Sequence, residues 1–169
     1  DRIHDPCPDK EIFFTEASIG TWNYDFGKCL VNDFASIFLG TLNRWGRGVT
    51  LWNLLLDEKG APNRPKGCRT CYGAIEISSE SYDYASLVRK SHYYDIVHCS
   101  KVIAPGAVRL ASASECGEAI VSAAFANPDG SYALVAANLS ESERSVEITG
   151  TGRYLTLTLP PRSIVSAKW

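Results

Sequence analysis

Glu16 is the side chain in this sequence with the clearest opportunity for chemistry. It closes a short stretch, Ile12-Phe13-Phe14-Thr15, and is followed by the small residues Ala17-Ser18 and then by an aromatic, Trp22. An apolar run of this length, bounded by polar residues, fits a strand buried on both faces, as in a parallel sheet. A carboxylate carried out by the end of such a strand can serve as a nucleophile or as a proton donor and acceptor. The competing reading is a solvated glutamate that opens the next helix. A second apolar run, Gly48 to Leu56, carries Trp52-Asn53. Trp52 either offers its ring to a ligand or is a core tryptophan whose indole N–H is satisfied by a polar neighbour such as Asn53.

Other reactive residue types read more plainly. Glu58, Glu76 and Glu80 fit ordinary solvated carboxylates, and His92 and His98 fit packed, hydrogen-bonded histidines. Of six cysteines, only Cys68 and Cys71 stand close together, and a structural zinc site would need a second such pair. A local disulfide or two free thiols remains, which favours an oxidising compartment, extracellular or periplasmic. Asn138-Leu139-Ser140 matches the glycosylation pattern, a short motif of low specificity.

The elements that must hold these groups follow from periodicity. Asn23 or Asp25 is a suitable N-cap, and Phe26, Leu30, Val31, Phe34, Ile37, Phe38 and Leu42 lie on one face of a helix over about 25–44. Strand, long helix, strand is a crossover unit that implies parallel pairing of the two runs. Trp52 and Asn53 would then share a rim with Glu16. Residues 57–83 form a long connection rich in Gly, Pro and Asn, with Ala74-Ile75-Glu76-Ile77 as a short strand inside it. A second helical pattern runs from about Tyr84 through Val102 and ends at Pro105-Gly106. Beyond it the texture changes to short β-branched or alternating segments at 107–112, 119–126, 131–138, 143–149, 153–159 and 163–169, with a hairpin signal at Asp129-Gly130. These predict an antiparallel sandwich after a boundary near 104–106.

Composition narrows the classes. The 169 residues are 45% apolar and 21% charged with a net charge of −2, which fits a packed core without a basic stripe for nucleic acid or an anionic membrane. No apolar run approaches the ~18 residues of a transmembrane span. The chain opens without a signal peptide, has no methionine, and is expected to be a piece of a longer polypeptide.

Several motifs in order resemble the C-terminal portion of glycoside hydrolase family 30, the glucosylceramidase family. They are Phe13-Phe14-Thr15-Glu16-Ala17-Ser18, Trp52-Asn53-Leu54, Gly60-Ala61-Pro62-Asn63, Tyr93 to Ile103, Pro105-Gly106, Asn127 to Ser131 and the ending Ser163 to Trp169. The Gly67–Tyr72 loop is also similar to the endo-β-1,6-glucanase branch. The resemblance implies an α/β plus all-β architecture: residues 1–104 as the C-terminal part of a (β/α)8 TIM barrel, its last two βα units, and residues 105–169 as a β-sandwich domain. Ile12–Glu16 would be the seventh barrel strand and Val49–Asn53 the eighth. Glu16 matches the family nucleophile, Trp52 an aromatic lining the glucose subsite with Asn53 beside it, and Trp22 and Asn63 lie in loops near that site. Neither metal nor organic cofactor is implied.

The family's acid/base glutamate follows an Asn at the end of the fourth barrel strand, and no Asn-Glu pair occurs here. The expected partners are therefore a β-glucoside or β-glucan substrate and the missing N-terminal part of the same barrel. The expected activity is retaining hydrolysis of β-linked glucosyl groups, of glucosylceramide or β-1,6-glucan, with Glu16 as nucleophile. The alternative is a fragment that binds carbohydrate without cleaving it, or a purely structural sandwich.

Overall fold

The computed structural model describes residues 2–112, 117–150 and 152–169. Cys116 lies outside them. Strand β1 is Ile12–Phe14, and it pairs in parallel with β2, Gly46–Val49. Between them runs a helical segment in three parts: α1 (Phe26–Asp33), a π-helical stretch (Phe34–Leu39) and α2 (Gly40–Leu42). Asp25 caps α1, its carboxylate accepting the Lys28 N–H at 2.8 Å. The wide turn puts Phe34, Phe38 and Leu39 together on the buried side. Ser36 donates its hydroxyl to the Asn32 carbonyl at 2.7 Å, a back-bond that competes with regular helical pairing. At the far end the Asn43 amide donates to the Ser122 carbonyl at 2.9 Å and ties the helix to the later sheet.

Three short strands follow. β3 (Leu55–Asp57) pairs in parallel with β4 (Ile75–Ile77), and β4 pairs antiparallel with β5 (Val88–Arg89). Helix α3 spans Ser91–Ser100. Then come β6 (Val108–Leu110), β7 (Ile120–Ala126), β8 (Tyr132–Asn138), β9 (Arg144–Gly150), β10 (Arg153–Leu159) and β11 (Ser163–Lys168). They form a four-stranded antiparallel sheet in the order β11-β8-β7-β6 and a separate β9–β10 hairpin. Gly130 supplies the positive φ, +83°, of the β7–β8 turn, as Asp129-Gly130 predicts.

The four-stranded sheet is buried on both faces. On one side Ile120, Leu134 and Ala136 meet Val146 of β9 and Leu159 of β10. On the other, Ala123, Phe125, Ala133, Val135 and Ala137 meet Phe34, Phe38 and Leu39 of the helical segment. The alanines make this layering possible, because only a shallow strand surface lets two phenylalanines approach. Burying each large apolar side chain contributes about 1.5–3 kcal/mol. At the sandwich corner Asn138 is fully buried. Its amide donates to the carbonyls of Ser142, Leu159 and Pro160 at 2.9–3.1 Å, and its oxygen accepts from the Ser140 N–H and hydroxyl.

Four sequence expectations are corrected. The second strand ends at Val49 rather than reaching Asn53, because β1 ends at Phe14 and beyond it only a single bridge, Ser18 with Trp52, continues the pairing. Leu55 and Leu56 then join a different sheet. The helix expected from Tyr84 starts at Ser91. Asp83 caps a 3-10 turn over Tyr84–Ser86, and β4 draws Val88-Arg89 into a strand. The first helical segment stops at Leu42 rather than near residue 44. Strand β1 is not covered on both faces, since Phe13 is 55% exposed.

Candidate active site

Glu16 lies at the outgoing end of β1, exposed to solvent. Two backbone bonds bracket it. Phe14 accepts the Thr50 N–H at 2.8 Å, and Ala17 accepts the Trp52 N–H, also at 2.8 Å. The stretch 14–18 therefore runs alongside 49–52 with Glu16 between the two bonds, and the backbones of Glu16 and Trp52 lie along one rim. Trp52 is 48% exposed, so it is no core tryptophan in this chain. Asn53 follows through a cis peptide bond. Its carbonyl accepts the Ala74 N–H at 2.8 Å, while its side-chain oxygen is buried with no partner among the described residues.

Trp22 belongs to the loop leaving Glu16 and is 57% exposed. It folds back over Gly20, where a Cβ would stand 2.1 Å from its ring and 2.2 Å from the Thr70 carbonyl. Only glycine fits there. The loop is clipped to a second one: the Thr21 N–H donates to Thr70 at 2.9 Å and the Tyr72 N–H to Ile19 at 2.8 Å. Cys68 and Cys71 of that second loop are joined in a disulfide, which resolves the choice between disulfide and free thiols. Asn63 sits in the next turn, exposed, its amide donating to the Gly60 carbonyl at 2.9 Å. Asp57 organises this turn by accepting the Lys59 and Ala61 N–H groups at 2.9 and 2.7 Å. The fold thus pairs the backbone segments that carry Glu16 and Trp52, attaches Trp22 through its loop clip, and leaves Asn63 on an adjoining turn.

Two polar clusters escape sequence reading. Behind the loop clip, Lys90 pairs with Glu76 at 2.9 Å, so Glu76 is not the solvated surface carboxylate expected of it. Between α1 and α3, the His92 ring nitrogen lies 3.2 Å from Asp33, and Asp95 is fully buried with both carboxyl oxygens unpartnered among the described residues. Burial, and secondarily Asp33, pushes the Asp95 carboxyl up to about 9. Burial likewise pushes the Cys99 thiol up to about 12 and lowers His98, whose ring bonds the Ser166 hydroxyl at 3.1 Å. His92 and His98 are packed, as the sequence suggests. The spacing Ser91, Asp95, Cys99 along one helical face is the one local signal of this cluster, and it is invisible as burial until α1 is laid against it.

Among the described residues, no three His, Cys, Asp or Glu side chains are grouped to hold a metal ion, and no helix is long and apolar enough to cross a membrane. What the rim offers is a carboxylate, an exposed indole face beside it and a second exposed indole on a pinned loop. That combination suits a sugar ring, whose C–H face stacks on aromatics while a carboxylate addresses its anomeric carbon.

Residues 106–167 match the glycosyl hydrolase family 30 beta sandwich domain. The chain is 34% identical to putative glucosylceramidase 2 of Caenorhabditis elegans and 26% identical to endo-1,6-beta-D-glucanase BGN16.3 of Trichoderma harzianum, in each case over 98% of this chain and 33% of the relative. It thus spans about a third of the length of these curated relatives. Among solved structures it superposes on the endo-beta1,6-glucanase BT3312 with a TM-score of 0.93 and 43% identity, over 99% of this chain and 37% of that one. SrfJ from Salmonella typhimurium matches with a TM-score of 0.86 and 25% identity over the same shares. Residues 106–167 thus carry the β-sandwich domain of glycoside hydrolase family 30, and the chain as a whole is similar, by sequence and by structure, to part of that family's enzymes.

Proposed function

We propose that this chain carries the nucleophile half of a retaining β-glycosidase acting on β-linked glucosyl groups. In this reading β1 and β2 are the seventh and eighth strands of a (β/α)8 barrel within residues 1–104, and residues 105–169 form the side domain. The rest of the barrel supplies the acid/base glutamate. The observation that carries the reading is the pair of backbone bonds from Thr50 and Trp52 to the two sides of Glu16, which set a carboxylate and an aromatic face on one rim. Retaining hydrolysis needs two carboxyl groups roughly 5 Å apart. Glu16 attacks the anomeric carbon and displaces the leaving oxygen, which the second carboxyl group protonates. Water, deprotonated by that same second group, then releases the sugar from Glu16. Trp52 stacks on the ring undergoing substitution, Asn53 and Asn63 supply polar contacts, and Trp22 lines the approach. The 43% identity to an endo-β-1,6-glucanase favours β-1,6-glucan over glucosylceramide. The Cys68–Cys71 disulfide favours an extracellular or periplasmic setting.

A mechanism-based fluoro-glucoside given to the complete enzyme should label the peptide containing Glu16. Label on an upstream glutamate instead would assign the nucleophile elsewhere. New reducing ends from β-1,6-glucan with no glucose released from glucosylceramide would support the substrate, and the reverse would exchange the two.

A further inference from the structure

Lys90 stands in surroundings unusual for a lysine. Its side chain is only 17% exposed, and its ammonium lies 2.9 Å from a Glu76 oxygen. The same ammonium stands 5.0 Å from the centre of the Tyr72 ring and 5.9 Å from that of Tyr24. The two tyrosines meet each other edge-to-face at 5.3 Å. A strongly hydrated ammonium gives up water to sit here, and one carboxylate with two aromatic faces replaces it. The three segments involved are distant in sequence, and the first two also meet through the Thr21–Thr70 and Tyr72–Ile19 backbone bonds. Tyr24 comes two residues after Trp22 on the loop leaving Glu16. Tyr72 follows Cys71 on the disulfide loop. Lys90 enters α3 from β5, its N–H bonded to Ala74 at 2.9 Å, and the next N–H, of Ser91, donates to the Tyr24 hydroxyl at 3.1 Å.

We propose that Lys90 is a positioning residue that clamps Tyr24 and Tyr72 together and thereby holds Trp22 at the sugar-binding rim. The proposal rests on the glycosidase reading of that rim. The backbone on either side of Glu16 is held by the bonds from Thr50 to Phe14 and from Trp52 to Ala17, which the clamp does not touch. Removing the clamp should therefore loosen substrate binding and leave the chemical step in place.

The test uses the complete enzyme with Lys90→Met, Lys90→Arg and the double variant Lys90→Met/Glu76→Gln, which avoids stranding a half-buried carboxylate. In both Met variants KM for the glucan should rise about tenfold, the size of one partly desolvated cation–π contact, with kcat within twofold. Hydrogen exchange at the Thr21 and Tyr72 amides should quicken. Arginine keeps the charge and stacks on aromatic rings, so it should restore KM. A kcat that falls in step with the rise in KM, or unchanged exchange at Thr21 and Tyr72 in both Met variants, would overturn the clamp. Undiminished turnover by Glu16→Gln would sink the glycosidase reading instead, and the exchange measurement would then decide the clamp by itself.

Discussion

In β7 and β8 nearly every side chain faces either the helical segment or the β9–β10 hairpin, whereas β1 and β2 are three and four residues long and leave Phe13 in water. The sandwich earns its order from area removed from solvent. The rim has little such area, and its order comes from discrete devices: two backbone bonds around Glu16, a glycine under Trp22, a disulfide and an aspartate-organised turn. Functional groups concentrate where the packing is thinnest, because a side chain that must meet a ligand cannot also be buried against its own chain. The two regions should therefore fail differently, in activity at the rim and in folding at the sandwich.

The sharpest contrast is between Glu16→Gln and Phe34→Ala in the complete enzyme. Glu16→Gln keeps the shape of the side chain and removes the attacking oxygen's charge, so turnover should fall by more than about a thousandfold, with an unchanged denaturation midpoint. Phe34→Ala should cost about 3–5 kcal/mol of stability by chemical denaturation, with the surviving folded fraction still active. A Glu16 variant that unfolds, or a Phe34 variant as stable as the parent, would erase the distinction.

Asp95 tests whether the ground between the two regions behaves like a core. Its carboxyl rises from an ordinary 3.8 to about 9, so the folded chain holds a proton that the unfolded chain releases between these values. Stability from this group is fully present below about pH 4 and drains away as pH climbs toward about 9. The groups facing it are Asp33 and Cys29 of α1, with His92 and Cys99 on its own helix. Asp95→Asn should flatten the fall in stability between about pH 4 and pH 9 and make the variant more stable than the parent near pH 9. An identical pH–stability curve for parent and variant would mean that the carboxyl is not held neutral.

A smaller effect is expected at Trp52. Trp52→Ala should lower kcat/KM by tens-fold, equivalent to about 2 kcal/mol of lost apolar contact, without moving the thermal transition. Collapse of the transition with no selective kinetic change would return Trp52 to a packing role and blur the boundary between rim and core.

The same division governs how much could be read in advance. All six sandwich strands, the Asp129-Gly130 turn and the Asp25 cap are legible because each is a local pattern with a local cause. The end of β2 is not, since it depends on where its partner β1 stops, at Phe14. Nor is the start of α3, which depends on β4 capturing Val88-Arg89. Glu16 and Trp52 stand out by motif, and the strand, helix, strand pattern already expects them on one rim; the pairing of 14–18 with 49–52 runs as that pattern requires. Lys90, Glu76 and Asp95 gave no comparable sign, because a charged residue looks solvated until the segments that enclose it are assembled.

Asn138 closes the β8 end of the sandwich with its amide hydrogens committed to the turn at Ser142 and to the end of β10. Attaching a sugar would replace one of those hydrogens and force a bulky, water-loving group into a site with no room. Folding and glycan attachment at this sequon are thus mutually exclusive outcomes for one nitrogen. In a secretory compartment that modifies nascent chains, rapid docking of β10 on β8 would be the step that keeps this asparagine bare, and a host that glycosylates it would return misassembled protein from an unaltered gene.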